Sequence, residues 1–235
     1  MRLSREERKE KVLEAVKLLS DSLPYHVLPY GFISNPLVSH IGDCRFILDK
    51  FQTISDIGVI SEAEFRRATI SRLEIISQHS KDIQGVFCFI HKPYLIPLLS
   101  LVTPYLTSFE YNKILRDSWT RTEFPNHNNL KQLVCLFQKS KPKSLMTAEE
   151  RLFLSKLPAE LIIYRGLQKE AKKRGLSWTL NKEKGIWFAK RFNNHGKLLR
   201  AKIKKEFVFA YFNNRAEDEV VVNPFKLREI TEVPI

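Results

Sequence analysis

The chain has few cysteines, and their arrangement excludes two classes of small-protein scaffold. Its 235 residues include only Cys44, Cys88 and Cys135, which are widely spaced and form no Cys-x-x-Cys pair. The six histidines show no metal-ligand spacing either. We therefore expect neither a disulfide framework nor a zinc site. Free thiols favour a reducing, cytoplasmic compartment.

Long apolar runs are also missing. The longest, residues 94–106, is interrupted by Pro97 and Pro104 and is too short to span a bilayer. The sequence opens with Arg2 and Arg5 rather than an apolar segment, so no secretory signal is predicted. Hydrophobic residues make up 43% of the chain, which is enough to bury a substantial core. We expect a soluble protein that does not enter membranes.

Acidic residues are scarce in one stretch, and this scarcity locates the net charge of +13. Residues 138–205 hold 19 Lys and Arg against 5 Asp and Glu, whereas residues 1–137 carry +2 and residues 206–235 carry −3. Such an excess predicts a footprint for a polyanion, with Trp178, Trp187 and Tyr211 as possible stacking surfaces for RNA or single-stranded DNA. A solvated basic surface that maintains solubility is the alternative. The candidate cations are Lys139, Lys141, Lys143, Lys169, Lys172, Lys173, Arg174, Lys202, Lys204 and Lys205.

The first half of the chain has a helical pattern. Ser4 to Glu7 reads as a capping box ahead of an apolar stripe, and Ser61 to Glu64 begins a second helix of the same kind. Thr147 to Glu150 opens another. Further helices are predicted at 94–103, 108–118 and 129–138.

After residue 160 the pattern changes to strands, predicted at 161–165, 197–204, 207–211, 219–223 and 226–231. Helices followed by strands imply an α+β fold, with residues 139–143 as the linker. We expect a helical region at 1–140 and a second region at 141–235.

The most informative feature lies near the end, where Glu217 and Glu219 lead into a β-branched strand. Residues at i and i+2 of a strand share a face, so both carboxylates are predicted to point into one cleft. Proteins tolerate such repulsion mainly where they need negative charge at one spot. The alternative is a solvated turn entering an edge strand.

Two further motifs precede this pair. An apolar strand ends in Tyr164-Arg165-Gly166, and Gly175-Leu176-Ser177-Trp178-Thr179 forms a hydroxyl-bearing turn ahead of a helical segment at 181–192. A strand ending in Arg-Gly, then Ser-aromatic-Thr before a helix, then Glu-x-Glu before a strand resembles the Arg-Ser-Glu class of mono-ADP-ribosyltransferases over about residues 145–235.

This resemblance implies a fold and a substrate. The strands would form two packed, mostly antiparallel sheets around a nicotinamide-binding cleft, with the helical N-terminal half packed on this core. NAD+ would be the substrate. Two departures from the family pattern stand out: only 11 residues separate Arg165 from Ser177, and Trp178 occupies a position that is usually small. Its indole could instead stack on nicotinamide.

Physical chemistry supplies a role for each motif. Breaking the bond between nicotinamide and ribose builds positive charge on the sugar, as glycoside hydrolysis does. A fixed carboxylate lowers that barrier, and Glu219 is the candidate. Arg165 offers a planar fork to the diphosphate or ribose; an ion pair with a surface acid is the alternative. The resemblance implies that Ser177 orients Glu219, and it groups Tyr164, Gly166, Trp178 and Thr179 around NAD+. Alternatively, Ser177 and Thr179 cap the next helix. Since neutral nicotinamide leaves unaided, we expect no metal requirement.

The acceptor side is predicted around the first acid. The resemblance assigns Glu217 as general base toward the acceptor, and a glutamate there often accompanies arginine acceptors. The preceding loop would meet the acceptor through Tyr211, Phe212, Asn214 and Arg215; an ordinary Asn-Asn hairpin turn is the alternative. Because Glu217 favours a protein arginine and the basic excess favours nucleic acid, the acceptor stays open, with RNA slightly preferred.

The sequence hypothesis is therefore a cytoplasmic mono-ADP-ribosyltransferase. The family adds the expectation of a bacterial toxin, a phage-defence effector or a phage-borne modifier of its host, with a possible inhibitor or antitoxin partner. The alternatives are a protein-arginine ADP-ribosyltransferase, an NAD+ glycohydrolase and a non-catalytic nucleic-acid-binding protein.

Overall fold

A computed structural model describes residues 3–21, 26–27, 33–34, 82–88, 90–122, 129–167, 173–191 and 196–235. The chain forms two compact units, Met1–Pro125 and Asn126–Ile235. The helix predicted to begin at Ser61 lies outside the described residues. The units divide earlier than residue 140, since the helix at 130–139 packs within the second one, where Phe137 stacks on Phe209.

The first unit is mainly helical in its described part. It contains α1 (Arg5–Asp21), a short antiparallel ribbon of β1 (His26–Val27) and β2 (Ile33–Ser34), α2 (Gln84–Cys88), α3 (Leu95–Val102) and α4 (Ser108–Arg121). Its buried side chains include Val12, Val16, Leu95, Leu98, Leu99, Val102, Ile114, Leu115 and Trp119.

Helix starts in the first unit follow the chemistry read from the sequence. The Ser4 amide donates to Glu7 at 2.6 Å and the Glu7 amide donates to the Ser4 hydroxyl at 3.2 Å, which confirms the predicted capping box. Thr107 and Glu110 form the same reciprocal cap at the start of α4. The Glu110 carboxylate also accepts from Arg8, tying α1 to α4.

The second unit combines helices with an antiparallel sheet. Its elements are α5 (Leu130–Lys139), α6 (Pro142–Leu145), α7 (Ala148–Lys156), β3 (Glu160–Leu167), β4 (Ser177–Thr179), α8 (Lys182–Lys190), β5 (Lys197–Lys204), β6 (Val208–Phe212), β7 (Glu219–Val222) and β8 (Arg228–Val233). The six strands lie in the order β6-β7-β4-β3-β5-β8, and every neighbouring pair is antiparallel.

The α+β class is confirmed, and two details differ from expectation. The described strands of this unit form one six-stranded sheet, whereas the sequence hypothesis had two packed sheets. Residues 177–179 form a strand, where the sequence predicted a turn, because their backbone pairs with both β3 and β7. The expected linker at 139–143 runs into the short helix α6.

Helix α8 packs closely on one face of the sheet through small residues. A Cβ added to Gly166 on β3 would lie 2.3 Å from the backbone of both Ala189 and Gly185 on α8. A Cβ added to Gly185 would lie 3.0 Å from the Tyr164 Cβ. The two glycines thus let the helix axis approach β3 and β5.

Helix α7 packs on the opposite face. Phe153 stacks on Tyr211 of β6 with ring centroids 4.4 Å apart. Thr147 and Glu150 form the predicted capping box. The second carboxylate oxygen of Glu150 accepts from the Asn213 amide at 3.2 Å, so α7 also anchors the end of β6.

No helix in the described ranges combines the length and apolar character needed to cross a membrane.

Substituting Gly166 by alanine tests the α8 contact. The new methyl group would meet helix backbone, which cannot rotate away, so we expect the free energy of unfolding in denaturant to fall by about 1 to 3 kcal/mol. Gly185→Ala is the matched control, because its methyl group first meets the flexible end of Leu198 and gains helix propensity. A smaller loss is expected there. Equal stability of Gly166→Ala and wild type would contradict the packing.

Candidate active site

Two predicted site residues meet across β4 and β7. The Ser177 hydroxyl donates to the Glu219 carboxylate at 2.6 Å, although the residues are 42 positions apart in sequence. The pairing of β4 with β7 places Thr179 opposite Glu219 and Ser177 opposite Val221, so Ser177 and Glu219 lie diagonally on one face. Glu219 is only 5% exposed. The hydrogen bond and the burial hold the Glu219 carboxyl group in one orientation.

The register determines which residues share that face. Directly opposed residues of antiparallel strands point to the same side, and Tyr164 opposes Thr179, which opposes Glu219. The Tyr164 and Thr179 side chains point toward Gly185 of α8. The carboxylate of Glu219 therefore projects from the face that carries α8.

Arg165 leaves its strand on the other face, because neighbouring residues of a strand alternate. It shares that face with Trp178 and lies with its guanidinium carbon 6.0 Å from the centre of the indole. The sequence hypothesis placed Arg165, Ser177 and Glu219 around one ligand. The structure joins only Ser177 and Glu219 directly, and strand alternation separates Arg165 from them.

The guanidinium of Arg165 packs against the backbone of Gly175, where an added Cβ would lie 1.7 Å from Nη1. Arg165 is 8% exposed, and its Nη1 has no hydrogen-bond partner among the described residues. Burial lowers the pKa of this guanidinium to about 10. A buried cation with an unsatisfied donor is costly, so an anion or a carbonyl at this position would stabilise it.

Trp178 is part of the core. Its indole nitrogen donates to the Gly175 carbonyl at 2.8 Å, and the side chain is 2% exposed. The ring therefore fixes the approach of Gly175 to Arg165 and has no surface to offer nicotinamide. Gly166 packs against α8, as described above. Thr179 donates to the Glu217 carbonyl at 2.7 Å and accepts from the Asn181 amide at 3.1 Å.

Helix α8 is capped by Asn181, whose side chain accepts from the Lys184 amide at 3.1 Å. The sequence left open whether Ser177 and Thr179 cap this helix. In the structure the capping role belongs mainly to Asn181. Ser177 is directed at the carboxylate.

The three consecutive acids that lead into β7 have three different partners. Glu217 pairs with Arg215 at 2.7 Å, Asp218 accepts from the Tyr211 hydroxyl at 2.8 Å, and Glu219 accepts from Ser177. Asp218 has a φ of 48°, in the left-handed region. Because β7 begins only at Glu219 and Asp218 breaks the alternation, the expectation that Glu217 and Glu219 share a face through strand spacing does not hold.

The aromatic residues of the predicted acceptor loop are inside. Tyr211 and Phe212 are buried, and Phe212 lies directly opposite Glu219 in the β6–β7 pairing. Burial and Asp218 raise the pKa of the Tyr211 hydroxyl. Neither ring is therefore exposed to an acceptor: Tyr211 anchors the turn and Phe212 lies beside the acid. Asn214 and Arg215 are exposed, as an acceptor contact requires.

Sequence reasoning missed three residues that shape the site. Gly175 leaves room for the Arg165 guanidinium, Asp218 accepts a hydrogen bond from Tyr211, and Glu150 accepts one from the Asn213 amide. The sequence could have indicated the first two, because Gly175 closely precedes Ser177 and Asp218 lies between the two glutamates. The contact of Glu150 could not be predicted in this way, because it joins residues 63 positions apart.

Among the described residues, no group of three His, Cys, Asp or Glu side chains is placed to hold a metal ion. In comparisons with known proteins, no family model, curated protein or solved structure matches this chain.

A double-mutant cycle tests the bond at the centre of the site. Ser177→Ala and Glu219→Ala each remove one partner, so their effects on the free energy of unfolding should be non-additive by about 1 to 3 kcal/mol. Ser155→Ala is the matched control, because this serine donates to a helix carbonyl elsewhere in the unit. It should combine additively with Glu219→Ala. Additivity of the Ser177 pair would show that the two side chains do not interact in solution.

Proposed function

We propose that the chain is an NAD+-dependent mono-ADP-ribosyltransferase whose second unit has an ADP-ribosyltransferase-like core. The observation that carries the proposal is the 2.6 Å bond from Ser177 to the buried Glu219. Three motifs that resemble the Arg-Ser-Glu class in sequence occur on three adjacent strands, β3, β4 and β7. The pairing of a serine with an acid on neighbouring strands supports the same assignment.

In this proposal Glu219 holds negative charge beneath the ribose. Loss of nicotinamide transfers the bonding electrons to the pyridine ring and leaves positive charge on the sugar. A carboxylate that is already desolvated and oriented stabilises that charge without reorganising. Ser177 keeps the carboxylate in place, and Phe212 beside it limits the access of water.

Arg165 acts in this proposal from the other face of the sheet. It stacks on Trp178 and packs on Gly175, so it supports the start of β4, the strand that bears Ser177. The unsatisfied Nη1 also makes it the strongest candidate to receive the diphosphate, which would have to reach it around the Gly175 end of β4.

The ion pair of Glu217 with Arg215 affects which acceptor the site would favour. The Glu217 carboxylate is held by Arg215, so an incoming protein arginine would have to displace a cation already in the chain. Neutralising Glu217 also removes a charge that would repel phosphates. Together with the basic excess of residues 138–205, this favours nucleic acid, with RNA as the proposed acceptor and protein arginine as the second candidate. The setting expected from the family, a toxin or phage effector in the cytoplasm with a possible inhibitor, belongs to the proposal.

Transfer from labelled NAD+ in a cell lysate tests the function. We expect wild type to label a macromolecule and Glu219→Gln to lose at least a hundredfold in rate, because the charge is removed while the shape is kept. Glu217→Gln should reduce transfer more than it reduces nicotinamide release. Glu232→Gln, which alters an exposed acid of β8, is the control and should label normally.

The outcomes separate the candidates. Label removed by ribonuclease supports an RNA acceptor, and label removed by protease supports a protein. Nicotinamide release without label would indicate a glycohydrolase. Undiminished activity of Glu219→Gln, or neither label nor nicotinamide release with wild type, would refute the assignment.

Arg165→Met tests the diphosphate contact through thermal unfolding with and without ADP-ribose. At neutral pH the guanidinium is charged in both the folded and the unfolded chain, so its burial penalty, roughly 3 kcal/mol from a pKa of about 10, acts in full. We expect the ligand-free variant to be at least as stable as wild type and to lose the stabilisation by ADP-ribose.

Arg228→Met is the matched control, because Arg228 is an exposed arginine paired with Glu160. It should keep the full ADP-ribose shift. If Arg165→Met also kept that shift, Arg165 would have a structural role only.

A further inference from the structure

One tryptophan of the second unit is exposed and sits on a basic helix. Trp187 on α8 is 53% exposed, whereas Trp119 and Trp178 are each 2% exposed. Gly185 and Ala189 face the sheet, and Trp187 lies midway between them in sequence, so the helical repeat turns its indole to the outer side. Nothing in the site described above uses this side chain.

The indole has a defined orientation. Arg191, four residues on and therefore on the same helix face, places its guanidinium carbon 5.5 Å from the centre of the ring. The Phe188 ring meets it edge-on with centroids 5.0 Å apart. An aromatic surface that is both exposed and oriented can stack on a base at a low cost in side-chain entropy.

The charge around Trp187 is also distinctive. Helix α8 and its C-cap carry Lys182, Lys184, Lys190 and Arg191 against one acid, Glu183. None of the three lysines forms an ion pair with a described residue. In contrast, lysines of β5 are neutralised locally: Lys197 pairs with Glu232 at 2.9 Å, Lys202 with Glu229 at 2.7 Å and Lys204 with Glu206 at 3.7 Å. The α8 lysines, unlike these three lysines of β5, are therefore available to an anionic partner.

Helix α8 starts beside the turn that carries Glu217. The Leu180 amide donates to the Asp218 carbonyl at 3.1 Å, and the helix begins two residues later. With a rise of about 1.5 Å per residue, Trp187 lies roughly 8 Å along the axis from the first helical residue. A nucleic-acid strand lying along α8 would therefore lead to the turn that carries Glu217.

We propose that the outer face of α8, formed by Trp187, Arg191, Lys184 and Lys190, binds single-stranded nucleic acid, with one base stacked on Trp187 and the backbone phosphates on the cations. An exposed indole can stack on any nucleobase, because every base has an aromatic face, so we expect little sequence preference. Duplexes bury their base faces and are excluded from this mode. The binding requires no NAD+ and no Glu219, so it stands or fails independently of the proposed function.

The three tryptophans make the test direct, since only Trp187 is placed to change its fluorescence on contact with a base. The full-length protein is titrated with labelled oligo(U), oligo(dT), an RNA duplex and heparin, and tryptophan emission and probe anisotropy are followed together. We expect both single-stranded probes to bind and to quench the solvent-exposed component of the emission. Heparin should bind without that quenching, because it has no bases.

Affinity measured by anisotropy should fall on the order of tenfold in Trp187→Ala and largely recover in Trp187→Phe, which can still stack. Leu152→Ala removes another exposed apolar side chain of the same unit, 57% exposed, and should bind like wild type. Lys190→Gln should reduce the slope of log affinity against log salt concentration by about one released counterion. Lys202→Gln should leave that slope unchanged, because Lys202 is already paired with Glu229.

Wild-type affinity of Trp187→Ala for oligo(U) and oligo(dT), binding without quenching, equal binding of the duplex, or no binding of any probe would each overturn the proposal. Glu219→Gln should bind the oligonucleotides like wild type. If wild type binds the oligonucleotides but neither transfers ADP-ribose nor releases nicotinamide, the docking surface stands and the enzyme assignment fails.

Discussion

The antiparallel pairing of β4 with β7 is the constraint on which the site depends. β4 has only three residues, yet it links the Arg165 strand to the Glu219 strand. Its register puts Ser177 diagonally across from Glu219 and encloses that acid between paired strands. Around it, Gly175 closes one end of β4 against Arg165, and Thr179 holds the Glu217 carbonyl at the other. Changes at these contacts would act on the acid through β4.

Periodicity and capping chemistry predicted much of the fold. The boxes at Ser4 and Thr147 both form, because the residues that make them lie within one turn of helix. The strand at 197–204 matches its prediction, since its alternation is local. β4 was read as a turn because three residues carry too little pattern, and pairing on both sides decides its conformation.

The geometry of the candidate site could be predicted only in part. The Ser177–Glu219 contact was anticipated from the family resemblance, whereas the orientations of Arg165 and Trp178 follow from register, which the sequence does not display. The prediction that Glu217 shares a face with Glu219 was wrong, because residues at i and i+2 share a face only inside a strand. Asp218, one residue before β7, has a positive φ that breaks the alternation. Tyr211 was expected outside because it adjoins a turn, but its ring stacks with Phe153 from α7.

Under the proposed function, charge placement favours a nucleic-acid acceptor over a protein arginine. Glu217 is neutralised by Arg215, and the lysines of β5 are neutralised by nearby acids, while α8 presents its cations beside an exposed indole. The central claim remains that Glu219 lies beneath the ribose of NAD+. A crystal structure of Glu219→Gln soaked with NAD+ tests it most directly, because that variant keeps the shape of the site without its charge. The account predicts the nicotinamide ribose within hydrogen-bond distance of residue 219, on the face that carries α8; a ribose bound elsewhere, or no bound NAD+ at saturating concentration, would contradict it.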